Sequence, residues 1–216
     1  MSAADLELPS GWLSLTLGEV ISYGSTEKAE PEDLLPETWV LELEDVEKGT
    51  TKILTRLTYS DRQSKSTKNV FYAGDVLYGK LRPYLNKIVF ADSPGVCTTE
   101  IVPIRPNVAV RGKYLFYWLR HPLFLQYVTE VSHGVNMPRL GTDAGRQAPF
   151  VLAPEKEQTR IADKLDTVLT RVDACRDRLA RVAPLLKRFR QSVLAAATSG
   201  RDRKSTRLNS SHSDRS

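Results

Sequence analysis

"IADKLDTVLTRVDACRDRLARVAPLLKRFRQSV", residues 161–193, decides how this chain is built. Ile161, Leu165, Val168, Val172, Cys175, Leu179, Val182, Leu186, Phe189 and Val193 recur at alternating steps of four and three. Apolar residues at that period make a stripe two positions wide along a helix, the pattern of a coiled-coil seam. At ~1.5 Å per residue the stripe runs for about 50 Å, which favours a partner helix over a helix lying on its own domain. Pro154 suits a helix first turn, and Glu155 and Glu157 complement the positive end of the helix. Pro184 removes a backbone hydrogen bond, so a kink or short break is expected there.

The region before this helix has a different character. "TWVLELEDV" (38–46), "DVLYGKL" (75–81), "LNKIVFA" (85–91) and "TEIVPIRP" (99–106) are strand-like by alternation and branched content. "GKYLFYWLRHPLFLQYVTEVS" (112–132) is helical, and Pro122 divides it in two. "SHGVNMPRLGTDAGRQ" (132–147) carries three glycines and a proline without periodicity, which predicts a long loop of the kind that tends to be functional. The expected fold is α+β. A mixed α/β domain spans residues 1–153, a coiled-coil helical region kinked near Pro184 spans 154–200, and residues 201–216 form a disordered tail. That tail is Ser/Arg-rich with no apolar pattern, and it reads as an appended segment outside the fold. Trp12, Trp39 and Trp118 sit in apolar contexts and are expected in the core, and Cys175 is expected to be buried in the seam.

Composition narrows the class. The 216 residues are 41% hydrophobic and 26% charged, ordinary for a soluble globular chain. No run of some eighteen apolar residues exists, and "MSAADLELPSGW" has neither a basic start nor an apolar core, so neither a membrane span nor a secretory signal is expected. Cys97 and Cys175 form no motif and read as free thiols in a reducing cytoplasm. The net charge of +5 hides an asymmetry. Residues 1–50 hold two basic against twelve acidic groups, whereas residues 51–150 hold fourteen against six. A polyanion would therefore meet the middle of the chain.

The middle also contains a false lead. In "AGDVLYGKLRPYLNK" (73–87), Gly74, Gly79 and Lys80 fall at the G-x-x-x-x-G-K spacing of phosphate-wrapping loops. Such a loop needs Ser or Thr after the lysine for Mg²⁺ and a helix whose first amides face the phosphates. Leu81 and Pro83 supply neither, so the stretch reads as two strands joined by a basic turn at Arg82-Pro83. Nothing else supports catalysis. Metal-ligand spacing, a glycine-rich turn for S-adenosylmethionine and an "NPPY"-type methyltransferase motif are all missing, so neither a metal nor a cofactor is expected. A nucleotide-dependent enzyme and a coiled-coil scaffold without DNA readout are the competing readings.

Five motifs, taken in order, resemble the specificity subunit of type I restriction–modification systems. They are "LPSGWLSLTLGEV", "SKSTKNVFYAGDVLYGKLRPYLNKIVFAD", "GVNMPRL", "FVLAPEKEQTRIADKL" and "LLKRFRQSVLAAATSG", and together they cover residues 8–200. Members of that family usually carry two target-recognition domains, each followed by a long helical region, and the two helices pack antiparallel as a spacer between DNA half-sites. The resemblance implies one recognition domain and one helical region here, as in a half-subunit. It implies a non-catalytic, cytoplasmic protein that reads half of a bipartite site in double-stranded DNA. Methylation and cleavage would belong to separate modification and restriction subunits.

Under that resemblance the cations have a role. Lys80, Arg82 and Lys87 would meet backbone phosphates, joined by Arg62, Lys65, Ser66 and Lys68 from "SDRQSKSTKN", read as a flexible loop. Asn136 and Arg139 have the chemistry to read adenine and guanine. Tyr84 and His133 would stack or bond nearby. A turn-forming Asn, a surface Arg and a packed aromatic are the alternatives. The helix seam of Ile161, Leu165, Val168, Val172, Leu179, Val182, Leu186, Phe189 and Val193 would pair with a second copy or a second half-subunit.

Overall fold

A computed structural model describes residues 8–132 and 136–199. His133 and the tail at 201–216 lie outside the described residues. The chain opens with β1 (Leu13–Thr16), the single turn α1 (Leu17–Val20), β2 (Lys28–Ala29) and β3 (Trp39–Leu41). It continues through β4 (Leu57–Thr58), α2 (Tyr59–Arg62), β5 (Lys68–Phe71) and β6 (Val76–Gly79). Then come β7 (Ile88–Phe90), β8 (Gly95–Cys97), β9 (Ile101–Ile104), α3 (Gly112–Trp118) and α4 (Pro122–Val131). The short α5 (Thr142–Arg146), β10 (Pro149–Leu152) and the 45-residue α6 (Glu155–Ser199) complete it. The architecture is α+β, with mixed sheets followed by one long helix. The described residues fall into two compact units, divided between Leu165 and Asp166.

In the first unit the strands form three sheets. β1 pairs antiparallel with β10, and five strands run in the order β2-β5-β8-β3-β4 with β3 and β8 parallel. The third sheet, β7-β6-β9, is antiparallel and lies between two cores. Val76 and Tyr78 of β6, Ile88 of β7 and Val102 and Ile104 of β9 join Leu115, Phe124 and Phe150 in the larger cluster. Leu77, Val89 and Ile101 point the other way, toward Trp39, Leu41, Phe71 and Cys97. A sheet covered on both faces needs apolar residues on both, so "VLYG" carries no polar alternation.

Several local expectations change on folding. The strand foreseen over 38–46 ends at Leu41, and Leu43–Asp45 turns into a 3-10 helix closed by a bond from the Glu42 N–H to the Asp45 carboxylate at 2.8 Å. The long loop at 132–147 contains α5, whose Gly145 packs against the Tyr23 ring. The supposed flexible loop at 60–69 is taken up by α2 and β5 at its two ends. α3 and α4 divide at Pro122, which occupies the first turn of α4 where its missing N–H costs nothing. Trp39 is buried, while Trp12 and Trp118 are half-buried against the larger core.

α6 runs through Pro184 without a break. Its first turns belong to the first unit. Gln158 is buried there, accepting the Arg111 N–H at 2.8 Å and donating to the carbonyls of Ala109 and Ala153 at 2.9 Å each. Ile161, foreseen as the first seam residue, packs instead against the larger core. Further along, Val168, Val172, Leu179, Val182, Leu186, Phe189 and Val193 are exposed. Cys175 is exposed as well, against the expectation of burial, because among the described residues no second helix covers the stripe. Among the described residues no helix is long and apolar enough to cross a membrane.

Candidate nucleic-acid interface

The basic turn at 80–87 is built by two left-handed residues. β6 ends at Gly79, where a Cβ would meet Leu43 at 2.9 Å and the Lys87 carbonyl at 3.1 Å. The second glycine of the phosphate-loop spacing is thus a close-approach residue of a hairpin. The first, Gly74, takes φ +91° in the turn before β6. Beyond Lys80 the chain passes Arg82 (φ 50°), a 3-10 turn at Pro83–Leu85, and Asn86 (φ 49°) before re-entering the sheet. No helix follows the lysine, so no helix-end amides converge to wrap a nucleotide phosphate.

This turn is stitched to a segment more than fifty residues away. The Leu140 N–H donates to the Lys80 carbonyl at 3.0 Å, and the Arg82 N–H donates to the Pro138 carbonyl at 2.7 Å. Between them Leu81 and Arg139 form an antiparallel bridge. The Arg82 guanidinium adds a bond to the Asn136 carbonyl at 3.3 Å. The two loops therefore form one short ribbon that carries Lys80, Arg82, Tyr84, Asn136 and Arg139. Arg82, Tyr84, Asn136 and Arg139 are exposed. Arg139 Nε lies 3.1 Å from both Glu100 carboxylate oxygens, which fixes the direction of its guanidinium. Exposed Met137 stands between the two candidate readers.

The remaining candidates are differently engaged. The Lys68 side chain is only 3% exposed, and its ammonium sits 3.1 Å from Glu42 and 3.0 Å from the Ser66 hydroxyl. Arg62 is 12% exposed, paired with Asp45, with Glu44 at 3.7 Å and the Val40 carbonyl at 3.2 Å. Lys87 donates to the Leu43 carbonyl at 2.6 Å. Lys68 and Arg62 hold carboxylates in place, and a desolvated, paired charge does not face solvent phosphates, whereas half-buried Lys87 is tied to backbone. Lys65 and Ser66 remain exposed. Next to them, α2 is capped by Thr58, whose hydroxyl and N–H hold the Asp61 carboxyl below the usual carboxylate range.

Sequence reasoning passed over two residues at the ribbon. Glu100 read only as the start of a strand, yet it aims Arg139. Met137 stood within "GVNMPRL" with no role of its own. Neither carries a signal before the two loops are seen together.

No family model matches the chain. It is 25% identical over 193 residues to the specificity subunit of the type I restriction enzyme EcoDI from Escherichia coli, covering 89% of this chain and 43% of that protein. The EcoBI specificity subunit, also from Escherichia coli, is 29% identical over 202 residues, covering 91% and 40%. Among solved structures, a chain from work on the assembly and conformational transition of a type I R-M system matches with a TM-score of 0.74 at 25% identity. It covers 89% of this chain and 50% of that one. The HsdS subunit from Thermoanaerobacter tengcongensis gives a TM-score of 0.69 at 23% identity, over 97% of this chain and 54% of its own. This chain spans about two fifths to half the length of these relatives.

Proposed function

We propose that this chain, similar along nine-tenths of its length to the specificity subunits of type I restriction enzymes, is a DNA-recognition component of such a system. Residues 1–153 act as the target-recognition domain and 154–200 as the helical spacer. The observation that carries the reading is the ribbon formed by the 80–87 and 136–140 loops. It presents cations suited to phosphates beside an Asn and an Arg suited to base edges, all on one rigidly bonded support. Lys65 and Ser66 add phosphate contacts at its flank. The chain itself is non-catalytic and cytoplasmic, and it works with modification subunits and, through the complex, restriction subunits.

The exposed seam of α6 pairs with the same helix of a second copy, packed antiparallel, or with the helix of a second half-subunit. A two-fold pair would hold two identical readers apart and read a symmetric, interrupted site.

DNA titration at varied salt tests the reading. The logarithm of affinity falls with the logarithm of salt with a slope of order −0.9 per phosphate contacted. Lys80→Gln and Arg82→Gln weaken binding to every sequence alike, by about tenfold each, whereas Asn136→Ala and Arg139→Ala relax the preference at one base by ~1–3 kcal/mol. Unaltered binding when all four are replaced refutes this surface.

A further inference from the structure

Beneath the ribbon lies a polar cavity of about 160 Å³ that shares Lys80 with the proposed phosphate contacts and otherwise draws on residues outside them. Its wall includes Tyr23, Thr26, Lys28, Lys80, Thr99 and Thr142, drawn from four separate stretches of chain. Two lysines and three threonines line it, and among the described residues no carboxylate does. Asn69, buried in the same wall, is already committed. Its amide donates to the Ile101 carbonyl at 2.7 Å, and its oxygen accepts from the Lys28 ammonium at 2.5 Å, which holds that charge at the cavity. The Tyr23 side chain is 1% exposed, yet its hydroxyl has no hydrogen-bond partner. Burial pushes that hydroxyl's pKa far up, so it stays protonated and able to donate. A buried donor without an acceptor is costly, and such groups are usually satisfied by something.

We infer that this cavity is a phosphate-oxyanion site, held by Lys28 and Lys80 and by the Tyr23 and threonine hydroxyls. The wall offers two ammonium groups and hydroxyls able to donate, and its Asn69 oxygen is already taken by Lys28. The volume equals several waters at ~30 Å³ each, enough for a tetrahedral oxyanion. Leu140 and Thr142 also line the cavity, and Leu140 is bonded to the Lys80 carbonyl. An anion there braces the loop that carries Asn136 and Arg139. The phosphate comes either from the DNA backbone, in which case the inference rests on the proposed function, or from free phosphate in solution.

The test uses the full chain with Lys28→Gln, Thr142→Val and Tyr23→Phe, the last of which keeps the ring packing. Inorganic phosphate at millimolar concentration, against chloride of equal ionic strength, should raise the melting temperature of the parent by mass action. Lys28→Gln should abolish that rise, and Tyr23→Phe should weaken phosphate binding about fivefold to tenfold, the loss of one hydrogen bond. If the phosphate is that of DNA, Lys28→Gln also lowers the salt slope of DNA binding by about 0.9, and inorganic phosphate competes with DNA. If it is free phosphate, the slope stays that of the parent while the thermal effect is still lost. A chain that binds no DNA but loses its phosphate response in Lys28→Gln upholds the cavity and removes the proposed function. Equal responses to phosphate and chloride in the parent, with all three variants sharing its salt slope, overturn the inference and leave water as the occupant.

Discussion

Arg82 stands in the left-handed region immediately before a proline, a place that steric contact makes unfavourable for a residue with a Cβ. Glycine would adopt that conformation without strain, at the cost of a more flexible unfolded chain. Arg82→Gly should therefore leave the melting temperature equal or higher, within about 1 kcal/mol, while DNA affinity falls. A parallel drop in stability and affinity would mean that the side chain holds the turn together. Lys68 makes the opposite case. Its buried ammonium answers Glu42, so Lys68→Ala should destabilise the fold by about 3 kcal/mol in a denaturant titration. The salt slope of DNA binding should not move. A slope reduced by one contact would return Lys68 to the DNA surface.

At the scale of elements, the junction of α3 and α4 shows how a cap links folding to pH. His121 precedes Pro122, its Nδ1 accepts the Leu123 N–H at 3.3 Å, and its ring stacks parallel on Trp118 at 5.1 Å. Burial lowers the His121 pKa, so the folded state takes up the proton less readily than the unfolded chain. Stability from this group is complete above the unfolded value of ~6.5 and is lost as pH falls through the folded one. Protonation also removes the acceptor that caps α4. His121→Asn keeps a capping oxygen and has no titration here, so its stability should change less than the parent's between about pH 7 and pH 5. Identical pH profiles from chemical denaturation would remove His121 from the account.

For the molecule as a whole, charge along the chain and charge in space are different quantities. The acidic excess of residues 1–50 is partly spent inside the first unit, where Glu42, Glu44 and Asp45 take up Lys68 and Arg62. What is left over on the ribbon is the smaller set that can meet a polyanion. Among the described residues of the second unit the apolar stripe has no such partner. Leu179 is 69% and Phe189 65% exposed, and full burial of each such side chain is worth roughly 1.5–3 kcal/mol. The parent chain should associate at micromolar concentration by light scattering, and Leu179→Glu should shift it toward the monomer. A monomeric parent with no response in the variant rules out pairing through the stripe.

The heptad spacing, the division at Pro122 and the hairpin in place of a phosphate loop were all legible in the amino-acid string. Each depends on neighbours within a few residues, whose periodicity or steric limits leave a local trace. The ribbon was not legible, because its bonds join backbone groups of Arg82 and Pro138 or Lys80 and Leu140, and backbone bonds carry no side-chain signature. Nor could the string separate Lys68 and Arg62 from Arg82. All three are cations in one basic stretch, and only folding brings Glu42, 26 residues from Lys68, and Asp45, 17 from Arg62, within reach. Local sequence determined which elements form. The tertiary structure decided which charges are consumed in holding them together and which remain at the surface, because desolvation and pairing depend on neighbours that the chain order keeps far apart.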